Sequence, residues 1–109
     1  MQSVTYHLTD DLLKLIEQIP NDSIISRVVY KDAALKAVLF GFAKGEFLSE
    51  HTAAQSAIIH ILKGEATVIV NGDRHQLHEN AWLHMPPNLP HSVLAETPLV
   101  MLLLLEGSK

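Results

Sequence analysis

The chain contains no cysteine among its 109 residues. Disulfide bonds and thiolate metal sites are therefore excluded, and any transition metal must be bound by imidazole or carboxylate groups. Basic residues are also few, because 8 lysines and arginines face 12 acidic residues, for a formal net charge of -4. Since nucleic acids and anionic membranes are bound through basic side chains, we expect neither as a partner.

Long hydrophobic runs are absent as well. The longest apolar stretch, residues 98–107, has about half the length that a membrane-spanning helix needs, and we expect it to form a buried strand. The N-terminus lacks the basic segment followed by an apolar core that is typical of a secretory signal. Together with the lack of cysteine, these features lead us to predict a cytoplasmic protein.

Apolar residues are what the sequence has in quantity. They make up 48% of the chain against 18% charged residues, a balance typical of globular proteins. The length suffices for one hydrophobic core and is too short for two. We therefore predict a single domain over residues 1–109.

The N-terminal part of the sequence predicts a short amphipathic α-helix over about residues 9–19. Thr9 is a suitable N-cap, and Asp10 and Asp11 favour the positive end of a helix. Pro20 ends the segment. The apolar positions at helical spacing are Leu12, Leu15, Ile16 and Ile19.

From residue 24 onward the pattern changes to alternating and β-branched runs, which predict about eight short strands. The clearest hairpin has Asn71-Gly72 as a tight type I′ turn. Because closure removes exposed strand edges, so many short antiparallel strands favour a closed or double-sheet fold. The predicted fold class is all-β.

One part of the chain resembles the first sequence motif of the cupin superfamily, the small jelly-roll barrels. That motif places a glycine, five residues, a histidine, one residue, a second histidine, then a glutamate and a closing glycine. Gly45, His51 and Gly64 fall in register with it. Ala53 stands at the second histidine position, and Ala57 stands at the glutamate position.

A later part resembles the second cupin motif, which runs glycine, five residues, proline, one residue, glycine, two residues, histidine. Asn80, Pro86, Asn88 and His91 match these positions, with asparagine in place of each glycine. Asparagine tolerates left-handed backbone better than most residues, so the replacements are mild. The resemblance implies a double-stranded β-helix, or jelly roll, over about residues 35–105, with a short N-terminal α-helix.

The resemblance also implies where a metal would bind, because cupins hold one inside the barrel with the motif histidines and the glutamate. When the family's ligand positions are carried over residue by residue, only His51 and His91 match them. These two are the candidate ligands for divalent zinc, nickel, copper, iron or manganese. Gln55, on the same loop, is a weak third donor. Glu46 and Glu50 before His51 are candidates for a general base.

Side-chain alternation predicts which residues face the barrel interior. If Ala57 points inward, as the family glutamate does, then His60 points outward, and the same reasoning places Trp82 and His84 on the outer face. An apolar pocket is then predicted to be lined by Phe40, Phe42, Ile59, Ile61, Leu83 and Met85.

Three functions follow as hypotheses, and whether the protein is an enzyme stays open. The first is a cupin that binds a small, partly apolar molecule with His51 and His91 as polar contacts. The second is a metal-dependent oxygenase or isomerase with an open two-histidine site. The third is a non-catalytic structural or regulatory module that dimerises through the outer face. Because small cupins are commonly dimers, we expect a homodimer.

Overall fold

The computed structural model describes residues 5–107, and over this range it contains nine β-strands and one short 3-10 helix. The 3-10 helix spans Leu12–Leu15. Among these residues no helix is long and apolar enough to cross a membrane. The strands are β1 (Ile24–Lys31), β2 (Leu35–Phe42), β3 (Phe47–His51), β4 (Ala57–Lys63), β5 (Ala66–Val70), β6 (Asp73–Leu77), β7 (Trp82–Met85), β8 (His91–Ala95) and β9 (Leu99–Glu106).

The strands form two antiparallel sheets. The five-stranded sheet has the order β1-β2-β9-β4-β7, and the four-stranded sheet has the order β3-β8-β5-β6. Strands that are distant in sequence are therefore neighbours, as β2 is with β9 and β5 with β8. This topology confirms the predicted all-β jelly-roll fold.

The hydrophobic core lies between the inner faces of the two sheets. Ile61 and Met101 from the five-stranded sheet meet Val68 and Val93 from the four-stranded sheet, and each is at most 1% exposed. Burying one such side chain stabilises the fold by about 1.5–3 kcal/mol. The residues predicted to face the interior all pack in this core: Phe40, Phe42, Ile59, Ile61, Leu83 and Met85.

Strand β3 is not among the strands that the sequence predicts, because its residues are mostly polar and follow Gly45 in a pattern typical of a loop. It is a five-residue edge strand that pairs with β8, with a register shift between Leu48 and His51. Only Leu48 packs against the core, while Ser49 and Glu50 are exposed. One partly buried apolar side chain in five residues is too weak a pattern to indicate a strand.

The predicted α-helix over residues 9–19 is wrong in type and length. Only the four-residue 3-10 helix forms, and its N-cap is Asp11, whose carboxylate accepts a hydrogen bond from the Leu13 N–H (3.2 Å), rather than Thr9. No residue of that helix is buried. A segment this short gains little from helix formation alone, so tertiary contacts decide its conformation.

Those contacts come from Ile16 and Ile19, which follow the 3-10 helix and cover part of the outer face of the five-stranded sheet. They pack in a second apolar cluster with Leu39 and Val100. Gly41 of β2 lies directly beneath, since a Cβ there would stand only 2.8 Å from Cγ2 of Ile16 and 3.1 Å from Cγ1 of Ile19. The missing side chain therefore lets the N-terminal segment reach the sheet.

Two glycines occupy turns that need left-handed backbone. Gly72 has φ +85 beside Asn71 at φ +50, in agreement with the predicted tight hairpin turn. Gly64 has φ +91 in the connection between β4 and β5. A Cβ at Gly64 would collide with the carbonyl oxygen of Pro98, whereas a Cβ at Gly72 would meet nothing within 4 Å.

The turn between β1 and β2 is organised by the carboxylate of Asp32. One of its oxygens accepts hydrogen bonds from the N–H groups of Ala34 (2.8 Å) and Leu35 (2.9 Å), and the other accepts one from the Tyr30 hydroxyl. The Tyr30 hydrogen bond, followed by the two main-chain hydrogen bonds, holds the pKa of Asp32 below its ordinary value. The same hydroxyl hydrogen bond raises the pKa of Tyr30.

Replacing each of the two turn glycines by alanine should separate backbone strain from collision. Gly72→Ala introduces only an unfavourable φ and should lower the free energy of unfolding by about 1 kcal/mol. Gly64→Ala adds the collision with the Pro98 carbonyl and should cost roughly 3 kcal/mol. Urea unfolding of both variants measures the difference, and equal losses would contradict the close approach at Gly64.

Removing the Tyr30 hydroxyl should weaken the dependence of stability on acid pH. Because the folded-state pKa of Asp32 lies below its unfolded value, its contribution is present above the unfolded pKa of about 3.9 and is lost as the pH falls through the folded pKa. In Tyr30→Phe the folded pKa should rise toward the ordinary value. Carboxyl NMR titration measures this shift, and an unchanged Asp32 midpoint would show that the hydroxyl does not cause the lowering.

Candidate functional site

The structure brings the two predicted histidine ligands into contact. His51 is the last residue of β3, His91 is the first residue of β8, and they are direct cross-strand partners. Their ring centroids are 4.2 Å apart, with 57° between the ring planes. His91 is buried, at 6% exposure, on the same face of β8 as the core residue Val93, whereas His51 is exposed.

Both imidazole rings are held in the same way by the main chain. Nδ1 of His51 donates a hydrogen bond to the carbonyl oxygen of Ser49 (2.8 Å), and Nδ1 of His91 donates to that of Leu89 (3.0 Å). Because a carbonyl oxygen can only accept, Nδ1 carries the proton in both rings. In the neutral rings the lone pair therefore resides on Nε2, which is the atom available to a ligand.

The Nε2 atom of His91 is not sealed inside the core. Within residues 5–107 the hydroxyl oxygen of Thr67 is the one fully buried polar side-chain atom that lacks a hydrogen-bond partner. Nε2 of His91 is not among such unpartnered buried atoms within this range, although His91 as a whole is only 6% exposed. The histidine pair lies at one end of the barrel, which we call the mouth.

The mouth is formed by the last row of inward-facing residues in each sheet. Segment 52–56 connects His51 of the four-stranded sheet to the start of β4 in the five-stranded sheet, and segment 86–90 connects the end of β7 to His91. Because both segments cross from one sheet to the other, the last rows of the two sheets lie at the same end of the barrel. In the four-stranded sheet the row consists of His51, His91, Val70 and Asp73. In the five-stranded sheet it consists of Lys31, Lys36, Leu105, Ala57 and Met85.

The remaining metal-ligand candidates are not gathered at the histidine pair. Gln55 borders a cleft of about 640 Å³ whose lining residues include Lys31 and Lys36 and neither histidine. Glu46 precedes β3 and so lies at the opposite end of that strand from His51. In the part of the chain that the structure describes, no group of three or more histidine, aspartate or glutamate side chains is placed to hold a metal ion.

The outer face of the five-stranded sheet carries the other aromatic residues considered in the sequence analysis. His60 pairs with Trp82, and Ile58 pairs with His84, on the face opposite to Ile59. Trp82 is 60% exposed, His84 is exposed, and His60 is half-buried. These side chains lie outside the barrel, as alternation predicts.

Two lysines at the mouth were missed by the sequence analysis. Lys31 and Lys36 are cross-strand partners in the β1–β2 hairpin. The signal was present in the alternation of β2, because counting back by twos from the core residue Phe40 through Val38 reaches Lys36. The position at the end of the strand, beside a turn, made both lysines resemble ordinary solvated residues.

The backbone at the motif positions is that of glycine. Gly45 and Gly64 have φ +86 and +91, and the two asparagines that replace motif glycines, Asn80 and Asn88, have φ +75 and +69. All four positions thus use the left-handed region, where asparagine is the best tolerated substitute. The substitutions therefore keep the backbone geometry of the motif.

Comparison with known proteins agrees with this geometry. The family model described as the cupin domain matches residues 38–105, which is more than half of the chain. No curated protein matches significantly.

Solved structures share the fold. A cupin superfamily protein from Desulfitobacterium hafniense superposes with a TM-score of 0.85 at 21% identity, over 98% of this chain and 100% of that one. A conserved protein of unknown function from Streptococcus pyogenes gives a TM-score of 0.84 at 23% identity, over 99% and 94%. The salicylate 1,2-dioxygenase of Pseudoaminobacter salicylatoxidans, in complex with gentisate, gives 0.70 at 18% identity, over 87% and 29%. The family-model match, supported by this shared fold, shows that the chain belongs to the cupin domain family.

Proposed function

We propose that this cupin binds a small, partly apolar molecule at the mouth of its barrel, with the Nε2 atoms of His51 and His91 as the polar contacts. The observation that carries the proposal is the fixed tautomer of the two rings. Each Nδ1–H is committed to a main-chain carbonyl, so two adjacent Nε2 atoms are left for a ligand. Rings already oriented by the main chain lose little entropy on binding.

The surroundings of the pair favour an apolar ligand body. Ala57 stands where the family motif has a glutamate, and it lies in the mouth row beside Leu105 and Met85. Ala53, at the other vacated ligand position, is held by its carbonyl oxygen, which accepts a hydrogen bond from the Asn88 N–H (2.8 Å). Small and apolar side chains thus stand where the motif has two polar ones, and this lining favours an apolar ligand body.

A divalent transition metal fits this donor set only as an open site. Metal-binding histidines typically donate their second ring N–H to a carbonyl or carboxylate, as His51 and His91 do. Two imidazoles are fewer than the three or more protein ligands of a typical zinc site. The remaining coordination positions would belong to water or to a small molecule with its own donor atoms.

An open site of this kind is what a metal-dependent oxygenase or isomerase would need, and this remains the alternative to simple binding. A metal bound there would supply Lewis-acid or oxygen chemistry at its free positions. The salicylate 1,2-dioxygenase with the same fold is only 18% identical to this chain. Since a fold alone does not determine an activity, the metal content of the protein decides between simple binding and catalysis.

The histidine pair should respond as a unit to ligands. In imidazole nitrogen-15 NMR, neutral His51 and His91 should show Nδ1 protonated, and their Nε2 signals should move on addition of Zn²⁺ or of a binding small acid, amide or alcohol. The double variant His51→Ala, His91→Ala should lose this binding by roughly tenfold or more, because both polar contacts are gone.

His75→Ala is the matched control, because His75 is exposed in β6, which is separated from β8 by β5 in the sheet. The control variant should bind like the unaltered protein. Binding that survives in the double variant, or Nε2 signals that stay fixed across metals and small molecules, would contradict the proposal. Stoichiometric metal in untagged protein, measured by plasma mass spectrometry, would favour the enzyme alternative.

A dimeric structural or regulatory module is a second candidate function. It is favoured because the N-terminal segment covers only part of the outer face of the five-stranded sheet. The N-terminal isoleucines cover one half of this face. The other half carries the exposed Trp82 beside half-buried His60, Ile58 and Leu104. A second copy of the chain suits this half, because an exposed apolar patch is typically buried against a partner and a two-fold dimer brings the same patch from both copies together.

Dimerisation through this face should depend on Trp82. We expect the mass of a dimer in light scattering at micromolar concentration and that of a monomer for Trp82→Glu, since a buried carboxylate in the interface would be unpaired. Phe47→Glu is the control, because Phe47 is equally exposed (62%) on the other sheet. A monomeric unaltered protein, or dissociation caused equally by Phe47→Glu, would argue against this interface.

A further inference from the structure

The mouth row of the five-stranded sheet carries two positive charges. Lys31 and Lys36 are direct cross-strand partners, and Lys36 is in turn the partner of the core-facing Leu105. Residues opposite each other on neighbouring strands share one face, so both lysines lie on the inner face of the barrel. Lys36 is half-buried and Lys31 is exposed.

This pairing of two lysines destabilises the folded protein when no ligand is bound. Like charges on directly opposed strand positions repel each other, and burial of part of a lysine weakens its hydration. Within residues 5–107 neither lysine forms an ion pair with a carboxylate. A ligand that brings a negative charge to the mouth would offset both costs.

The two acidic residues that border the same cleft are directed elsewhere. The carboxylate of Asp32 accepts three hydrogen bonds from its own turn, from Tyr30, Ala34 and Leu35. Glu106 follows Leu105 and pairs opposite Leu35, so alternation directs its side chain to the outer face. In the mouth row of the five-stranded sheet, Lys31 and Lys36 are therefore the charged residues.

The rest of the cleft suits an organic anion. Gln55 adds an amide that can donate two hydrogen bonds, and Leu105 adds apolar surface. Ala57 does not border the cleft, but it is the cross-strand partner of Leu105 in the same row as Lys36. Because Ala57 stands at the position of the family glutamate, the mouth has no carboxylate there to repel an anion. The two sheets lie about 10 Å apart, so a small molecule can reach from the lysines toward the histidine pair.

We propose that the ligand of this cupin is an organic carboxylate, whose carboxylate is bound by Lys36 and Lys31 while its apolar part lies against Leu105 and Ala57, toward His51 and His91. This inference deepens the proposed function and rests on it. A carboxylate is favoured over a phosphate ester because one face of the mouth is apolar and the polar side offers single ammonium groups rather than a cradle of main-chain N–H groups.

Benzoate and benzamide are the probes, because they have the same shape and differ in charge. Isothermal titration of the full chain should show saturable binding of benzoate and at least about tenfold weaker binding of benzamide, since only benzoate forms charge-assisted hydrogen bonds. Lys36→Met, which keeps an unbranched side chain only one atom shorter and removes the charge, should weaken benzoate binding about tenfold and leave benzamide binding unchanged. Lys31→Met should act in the same direction.

Lys63→Met is the matched control, because Lys63 ends β4 at the opposite end of the strand from Ala57. The control should bind benzoate like the unaltered protein. Thermal unfolding without ligand adds a second readout, since removal of the repulsion should leave the midpoint of Lys36→Met equal or higher. Equal affinity for benzoate and benzamide, an equal loss with Lys63→Met, or equally tight binding of inorganic phosphate would overturn the carboxylate assignment.

The same probes separate this inference from the proposed function. Benzoate binding that is lost in Lys36→Met and retained in the His51→Ala, His91→Ala variant would support the carboxylate site and refute the histidine contacts. A second outcome is that benzamide shifts the Nε2 signals of both histidines and benzoate binds no more tightly than benzamide. That outcome would support the histidine contacts and overturn the carboxylate assignment. Loss of benzoate binding in both variants would support both.

Discussion

Strand β9 holds the barrel in register, because it pairs along its length with two strands from distant parts of the sequence. It is hydrogen-bonded to β2 from Phe42 opposite Leu99 to Leu35 opposite Glu106, and to β4 on its other side. A shift by one residue in either pairing would move every side chain of the shifted strand to the opposite face. The inward orientation of the core, and of the mouth row that includes Lys36 and Ala57, depends on these two ladders.

The mouth combines features that individually are common and together make up the proposed binding site. On one sheet, main-chain carbonyls hold Nδ1 of His51 and His91, which directs the chemistry of both rings to Nε2. On the other sheet, two lysines and an alanine occupy a row in which the family motif has a carboxylate. The mouth therefore lacks the carboxylate that the motif places at position 57 and carries two lysines on the same sheet, and our anion proposal rests on this combination.

Much of the fold and part of the site could be predicted from the sequence. Alternation was strong enough to assign the inner and outer residues of β4, and the spacing of Gly45, His51 and His91 was enough to indicate the family. The edge strand β3 could not be predicted, because its pairing with β8 is supplied by a distant segment rather than by its own pattern. The N-terminal helix was overestimated, because the contacts of Ile16 with the sheet outweigh helical propensity in so short a segment.

The sequence by itself determined the period of the strands, the turns that need glycine or asparagine, and which ligand positions of the motif are vacant. These properties are local, since they depend on the side chain and the backbone preference at each position. Only the tertiary structure decided that the two histidine rings share one contact, that their tautomers match, and that Lys31 and Lys36 face the same mouth. These properties depend on pairing between strands far apart in the chain, and that register is set by the packing of the whole barrel.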